Sequence, residues 1–339
     1  MKALQLVAPS TLAVVDLPAP MPGPGEVRLR VKACGICGSD LHGMDGSSGR
    51  RIPPLVMGHE ASGTVDVVGE GVTGWRPGDR VTFDSTVWCG ECGYCREGRV
   101  NLCDARQVVG VACAEFRRDG AFAEFVTVPQ RIVHRLPDAL SYEEAAFAEP
   151  VGVALHAVKR AGDVAGSTAL VVGAGLIGLL VIQALRRAGA ARIIAVDLDE
   201  GRLTLARELG ADEAILSGSA PVPEVDLAME VVGAAPTVDL AIRSVRKGGR
   251  VVLVGNLSPV VPLPLQIVVT RELDVVGTCA IAGEYPEALD AIASGDIRVK
   301  PLISASVSLE DGVTAFEKAK SPGALKVLVI DGGAAAGEL

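Results

Sequence analysis

An apolar run, Ala169–Val172, leads straight into Gly173-Ala174-Gly175-Leu176-Ile177-Gly178, and a helical pattern continues to about Ala188. Three spaced glycines are weak evidence when they stand alone. Here they follow a buried strand and open a helix, and a carboxylate, Asp197, lies 19 residues past Gly178. A turn that merely needs glycines would carry none of that context, which specifies a strand–turn–helix unit that grips a dinucleotide. Gly173 permits the tight turn, Gly175 lets the backbone approach a pyrophosphate, and Gly178 lets helix and strand pack closely. Leu176 and Ile177 complete the turn, whose helix end attracts the pyrophosphate. Asp197 closes the next strand, where it can accept hydrogen bonds from the adenosine ribose and would repel a 2′-phosphate. NAD is therefore favoured over NADP. Arg202 is the opposing signal, since a nearby arginine accommodates a 2′-phosphate, although its helix is expected to turn it to solvent.

The rest of the chain is organised around that unit. At 339 residues it exceeds one ordinary domain, and two domains are expected. Up to about Glu149 short strands alternate with Gly/Pro turns: Val27–Val31, Gly63–Val68, Arg80–Phe83 and Phe122–Val128. From about Val153 a helical stretch, VALHAVKRAG, precedes apolar strands interleaved with amphipathic helices. The strands are Ala169–Val172, Ile193–Val196, Leu227–Val232, Val251–Val254 and Leu273–Val276. That alternation indicates parallel βαβ units in a doubly wound Rossmann sheet. Beyond Pro286 come a helix (Glu287–Ser294), a strand-like VKPLIS, a helix (Leu309–Ala319) and a strand (Lys326–Ile330). A doubly wound sheet needs no such tail, so it is expected to fold back onto the first domain. The division expected is 1–153, 154–288 for the nucleotide domain, and 289–339 returning to the first. There is no internal repeat, and the terminal GGAAAGEL is expected to fray.

Composition excludes several functions. The net charge is −9 with acids and bases mixed, and no Lys/Arg cluster offers a phosphate-backbone footprint, so nucleic acid is not an expected partner. The start, MKALQLVAP, lacks a long apolar core, and no apolar run of membrane-spanning length escapes interruption by Gly, Pro or charge. The cytosol is the expected location. Eight cysteines in a large leaderless α/β chain point to metal rather than to a disulfide framework.

Cys89, Cys92, Cys95 and Cys103 form C-x2-C-x2-C-x7-C within CGECGYCREGRVNLC. Four thiolates at this spacing close a tetrahedron around zinc and leave no open position, which makes the site structural. Reduced thiols in this arrangement favour zinc over iron or paired disulfides. A second cluster combines Cys37 in CGICGSDLH, His59 and Glu60 in MGHE, and Glu149 in AEP. Catalytic zinc takes few N, S and O ligands and keeps one position for water or substrate. Cys37 and His59 are the firm ligands. Glu60 and Glu149 would bind directly or through water, two states the spacing leaves open. Either Cys37 or His59 alone would read as a core thiol or a surface histidine.

Taken together, ACGICGSDLH, GHEASGTVDVVGEGV, WRPGDRV, the four-cysteine lobe, AEPVGVALHAV and VVGAGLIG resemble the zinc-containing medium-chain dehydrogenases. The nearest branch is that of polyol (sorbitol/iditol) and threonine dehydrogenases. The resemblance covers essentially the whole chain. It implies a β-rich GroES-like catalytic domain beside the Rossmann domain, two zinc ions per chain, and a homodimer or homotetramer. Glu149-Pro150 resembles the polyol/threonine branch, where Glu replaces a second cysteine ligand. By the same resemblance Ser39 and His42 are the proton-relay pair, and Asp40 is the partner of His59.

The chemistry agrees with that implication. Zinc is a Lewis acid that lowers an alcohol's pKa. Ser39 would pass the proton outward to His42, Asp40 would fix the tautomer of His59, and hydride would go to the nicotinamide. The expected function is oxidation of a secondary alcohol or polyol to a ketone, or the reverse. An L-threonine-type amino-alcohol dehydrogenase is the alternative, and a nucleotide-binding sensor or structural relative is the non-enzymatic one. One departure bears on substrate: sorbitol-type members carry an Arg-Tyr pair where this chain has Ala280 and Ile281. Cys34, Cys113 and Cys279 read as small buried hydrophobes, and His134 and His156 as packing or surface residues.

Overall fold

The computed structural model describes residues 1–332, so all but the first residue of the GGAAAGEL end lies outside the described residues. The chain divides into two compact units. One comprises Met1–Glu149, Ile281–Ala293 and the chain from Val299 on; the other comprises Pro150–Ala280 and Ser294–Arg298.

The second unit is a six-stranded parallel sheet. Its spatial order is Glu213–Leu216, Arg192–Asp197, Thr168–Val172, Val225–Glu230, Val245–Leu253, Asp274–Gly277. In chain order this is 3-2-1-4-5-6, the doubly wound arrangement whose topological switch lies beside the first strand. Central strands buried on both faces explain the unbroken apolar runs; Ala169, Leu170, Val171, Ile193 and Ile194 are inaccessible. Glu213–Leu216 escaped the sequence reading because an edge strand of four half-buried residues carries no such run. The expected strand Leu227–Val232 ends at Glu230 instead. The Glu230 carboxylate, fully buried, accepts from Val232 N at 3.0 Å and Gly233 N at 2.8 and 3.0 Å, which turns the chain out of the sheet.

The first unit is built on a mixed sheet ordered Val133–Arg135, Arg80–Phe83, Glu60–Val68, Glu26–Gly35, Lys326–Ile330, Ile303–Ser308, with Phe125–Pro129 also paired to Glu26–Gly35. Lys326–Ile330 runs antiparallel to Glu26–Gly35, so the end of the chain completes the sheet begun at its start. Leu4, Leu29, Met57, Phe83, Phe122 and Phe316 fill the core, with Phe122 and Phe316 edge to face at 5.5 Å. This unit ends at Glu149 rather than 153 and resumes at Ile281 rather than 289. The reason is Tyr285, which is buried, shares a 2.9 Å hydrogen bond with Thr82 Oγ1 and stacks on His134 at 4.7 Å. The helix there is Tyr285–Ser294. VKPLIS is not one strand: Lys300–Leu302 is a 3-10 turn around Pro301, which has no N–H for a ladder, and the strand is Ile303–Ser308. Among the described residues no helix is long and apolar enough to cross a membrane.

Candidate metal and cofactor sites

Two neighbouring strands deliver the first donor cluster. Gly35, the last residue of Glu26–Gly35, lies opposite Glu60, the first of Glu60–Val68. The chain leaving Gly35 therefore brings Cys37 beside His59 and Glu60, and the donor atoms of these three lie within 4.8 Å of one another. Burial, then the Glu60 charge, pushes the Cys37 thiol up to about 11, with Lys326 and a hydrogen bond from Ser39 pulling the other way. Such a thiol would release its proton to solvent near neutral pH only with a cation bound at its sulfur. Glu149 is outside that group but within electrostatic reach of it. Its carboxyl is pushed up to about 8 by burial and then by Glu60, while His59 opposes the rise. It sits in the first turn of the helix Ala148–Ala161, which begins five residues before the stretch read from sequence.

Behind the cluster stand Asp40, expected as the partner of His59, and two cations, Arg51 and Lys326, that the sequence did not point to. Asp40, inaccessible, accepts from Cys37 N at 3.2 Å and lies with Oδ1 3.6 Å from His59 Nδ1. That spacing is longer than a hydrogen bond, yet it turns Nδ1 toward Asp40 and leaves Nε2 as the nitrogen free to ligate. Arg51, 4% exposed, donates from Nη2 to Asp40 Oδ1 at 3.0 Å and to Ser39 Oγ at 3.2 Å. Lys326 pairs with Glu60 and donates to Ile36 O at 3.0 Å. Burial would lower the Lys326 pKa, but Glu60 and Cys37 outweigh it and raise it. Neither cation had a local signal. Arg51 lies in an RRIPP stretch that reads as surface, and Lys326 is 266 residues from its partner. Ser39 and His42 are both exposed on the helix Gly38–Gly43.

The second cluster is the cysteine lobe, where the Sγ atoms of Cys89, Cys92, Cys95 and Cys103 also lie within 4.8 Å of one another. Backbone amides are already turned onto sulfur: Glu91 N and Cys92 N donate to Cys89 Sγ at 3.5 and 3.4 Å, and Cys89 N donates to Cys103 Sγ at 3.3 Å. Those bonds from Glu91 and Cys92 pull the Cys89 thiol down to about 6. Lost hydration, with the neighbouring thiols, pushes Cys95 up to about 12. Four sulfurs this close ionise together only around a cation, and all-thiolate tetrahedral sets suit zinc.

In the other unit the glycine turn has the geometry its residues suggest. Gly173 is left-handed at φ +99°, and a Cβ on Gly178 would lie 1.9 Å from Gly173 O. A Cβ on Gly175 would meet nothing within 4 Å, so that face of the turn is open. Leu176 and Ile177 begin the helix Leu176–Arg187. Asp197 accepts from Ala174 N at 2.6 Å and from Asp199 N at 3.0 Å, tying the second strand to the turn. Arg202 does not point freely into solvent as expected. It is partly buried, and its Nε is enclosed without a hydrogen-bond partner.

Of the remaining thiols, Cys34 is buried, Cys113 is partly accessible, and Cys279 is exposed, against the expectation that all three pack inside. Cys279 lies just past the edge strand Asp274–Gly277. His134 and His156 belong to neither donor cluster.

A parallel dinucleotide-type sheet in one unit and a sulfur–nitrogen–oxygen donor cluster in the other mark a metal-dependent oxidoreductase. The family profile "Alcohol dehydrogenase GroES-like domain" matches residues 23–138, and "Zinc-binding dehydrogenase" matches 177–294. Sorbitol dehydrogenase of Bacillus subtilis (strain 168) is 36% identical, covering 94% of this chain and 93% of its own. The chain belongs to the zinc-binding medium-chain polyol and alcohol dehydrogenase family. Among solved structures, alcohol dehydrogenase TADH from Thermus sp. ATN1 is 33% identical with a TM-score of 0.90, covering 98% of this chain and 100% of its own. A protein of Sinorhizobium meliloti 1021 described as a zinc-binding dehydrogenase, and solved with NADP, is 34% identical with a TM-score of 0.90, covering 97% and 98%.

Proposed function

We propose that this protein oxidises a secondary alcohol or polyol to a ketone with NAD, or runs that reaction in reverse, at a zinc ion held by Cys37, His59, Glu60 and Glu149. The observation that carries this reading is the convergence of thiol, imidazole and carboxylate donors within 4.8 Å, with a further carboxyl in electrostatic reach. That donor chemistry fits zinc, and Cys89, Cys92, Cys95 and Cys103 fit a second, structural ion. When bound at the first site, zinc supplies Lewis acidity toward the alcohol oxygen. The chain's own residues do the rest. Asp40 orients His59. Ser39, whose hydroxyl reaches Cys37, takes up the alcohol proton, and the exposed His42 hands it to water.

NAD is the proposed cofactor, bound over Gly173, Gly175, Leu176, Ile177 and Gly178 with Asp197 toward the adenosine ribose. The relative that holds NADP, and the enclosed Nε of Arg202, are the observations that weigh against this choice. Ala280 and Ile281, where sorbitol-type enzymes have two polar anchors, favour a substrate shorter or less hydroxylated than sorbitol. Ile281 is itself buried. The chain is proposed to work in the cytosol as a homodimer or homotetramer. Asp274–Gly277 is an edge strand, and Val260, Leu265 and Val269 before it are exposed apolar residues. A panel of diols, polyols, simple secondary alcohols and amino alcohols, scored by formation of reduced cofactor, tests the activity. Turnover confined to amino alcohols, or absent from zinc-replete protein with every member, would remove the reading.

A further inference from the structure

Among the described residues, Arg51 is the one buried cation whose single nitrogen donates to two candidate active-centre residues. Its Nη2 lies 3.2 Å from Ser39 Oγ and 3.0 Å from Asp40 Oδ1. Nη1 donates to Arg50 O at 3.2 Å. The chain around it is pinned: Ile52 N donates to Ala112 O at 3.1 Å, and Ala112 N donates to Arg50 O at 3.3 Å. Gly43 leaves room for the side chain, since a Cβ there would come within 2.9 Å of Arg51 Cγ. The guanidinium is thus held by backbone on one side and applied to the Ser39–Asp40 pair on the other.

A guanidinium has donors only, so in this contact Ser39 Oγ must accept. A serine hydroxyl has one proton to donate and two lone pairs. With one lone pair taken by Arg51, the other lone pair is open to an alcohol proton, and the hydroxyl's own proton, turned to Cys37 in this structure, is the one it would pass on. The same nitrogen neutralises Asp40, whose other oxygen holds Cys37 N and whose Oδ1 faces His59. The guanidinium thus fixes where the Asp40 carboxylate stands, and with it the oxygen that faces the imidazole.

We propose that Arg51 is a positioning residue of the active centre, orienting the Ser39 hydroxyl for proton relay and holding the Asp40 carboxylate in place behind His59. The proposal rests on the reading of Ser39 as the relay and of His59 as a zinc ligand.

The test uses zinc-replete enzyme and three variants, Arg51→Met, Arg51→Lys and Ser39→Ala, with the Arg51→Met/Ser39→Ala double variant. Two quantities are measured: kcat and KM for the best alcohol, and the rate at which a chelator strips the catalytic zinc. Arg51→Met is expected to lower kcat by about 10- to 100-fold, a general acid–base effect, with KM little changed, and to release zinc several-fold faster. Arg51→Lys keeps a cation but has a single nitrogen, and should fall between wild type and Arg51→Met; it serves if Arg51→Met does not fold. In the double variant the loss in kcat should fall well short of the product of the single losses. Losses that multiply fully, or zinc release unchanged in both Arg51 variants, would overturn the proposal. If Ser39→Ala alone leaves kcat at the wild-type value, the relay reading fails and not the placement of Arg51, which then stands or falls on zinc release.

Discussion

Lys326 Nζ donates to the carboxylate of Glu60, and each side chain is only 2% exposed. The first residue of the last strand thereby supplies the cation for a carboxylate at the start of a strand laid down more than 250 residues earlier. Removing one member of such a pair leaves an uncompensated buried charge and typically costs about 3–5 kcal/mol. Lys326→Met should therefore lower the thermal midpoint sharply, and adding Glu60→Gln to it should restore part of the loss. Gly35→Ala should mimic Lys326→Met, because its Cβ would stand 2.3 Å from Glu60 Oε2. Calorimetry on the four proteins checks this; a single Lys326→Met with an unchanged midpoint would show that the pair carries no stability.

Zinc analysis should approach two equivalents per chain. Cys89→Ser removes the sulfur that receives two backbone amides and should cost one equivalent together with a lower unfolding midpoint. Cys37→Ser should leave the fold intact and abolish turnover. If the two variants exchanged these phenotypes, the structural and catalytic assignments would be reversed.

Asp84 gives the fold a pH dependence. Burial, outweighing its hydrogen bonds from Thr86, pushes its carboxyl up to about 6. A carboxyl raised in the folded state is most favourable to folding below its unfolded value, about 3.9, and loses that contribution as pH climbs through the folded value. Asp84→Asn keeps the acceptor for Thr86 N and never ionises. Its stability relative to wild type should rise between pH 5 and pH 7 by about 1 kcal/mol, the later part of a change of about 3 kcal/mol that begins near the unfolded value. Denaturant unfolding across that range decides; a difference that is flat in pH would place the folded Asp84 pKa at its ordinary value.

Cofactor choice should follow Asp197. Wild type is expected to show the higher kcat/KM with NAD, and Asp197→Ser should shrink that preference by about ten-fold or more through loss of the repulsion toward a 2′-phosphate. The same change breaks the bond to Ala174 N, so kcat/KM with NAD should also fall. Gly178→Ala serves as the control: its Cβ meets Gly173 O at 1.9 Å, which should weaken binding of both cofactors alike. Wild type preferring NADP would remove Asp197 as the selecting residue and point to Arg202.

Elements whose information is local were legible without coordinates. Strand, glycine turn and helix at Ala169–Ala188 follow from a few consecutive residues, because a tight turn tolerates only certain side chains and a buried strand must be apolar on both faces. The cysteine lobe is local too, since its four donors span fifteen residues of chain. Cys37, His59 and Glu60 were recognisable as donors because their residue types are chemically rare in combination. The tertiary structure alone decided which charges stand behind them. Arg51 beside Asp40 and Lys326 beside Glu60 are ordinary cations until folding removes water from around them. It also decided that Tyr285 belongs to the first unit, that Glu230 ends its strand by capping the turn beyond it, and that Cys279 faces outward. Burial and long-range pairing are properties of the packed chain, and no spacing along the sequence encodes them.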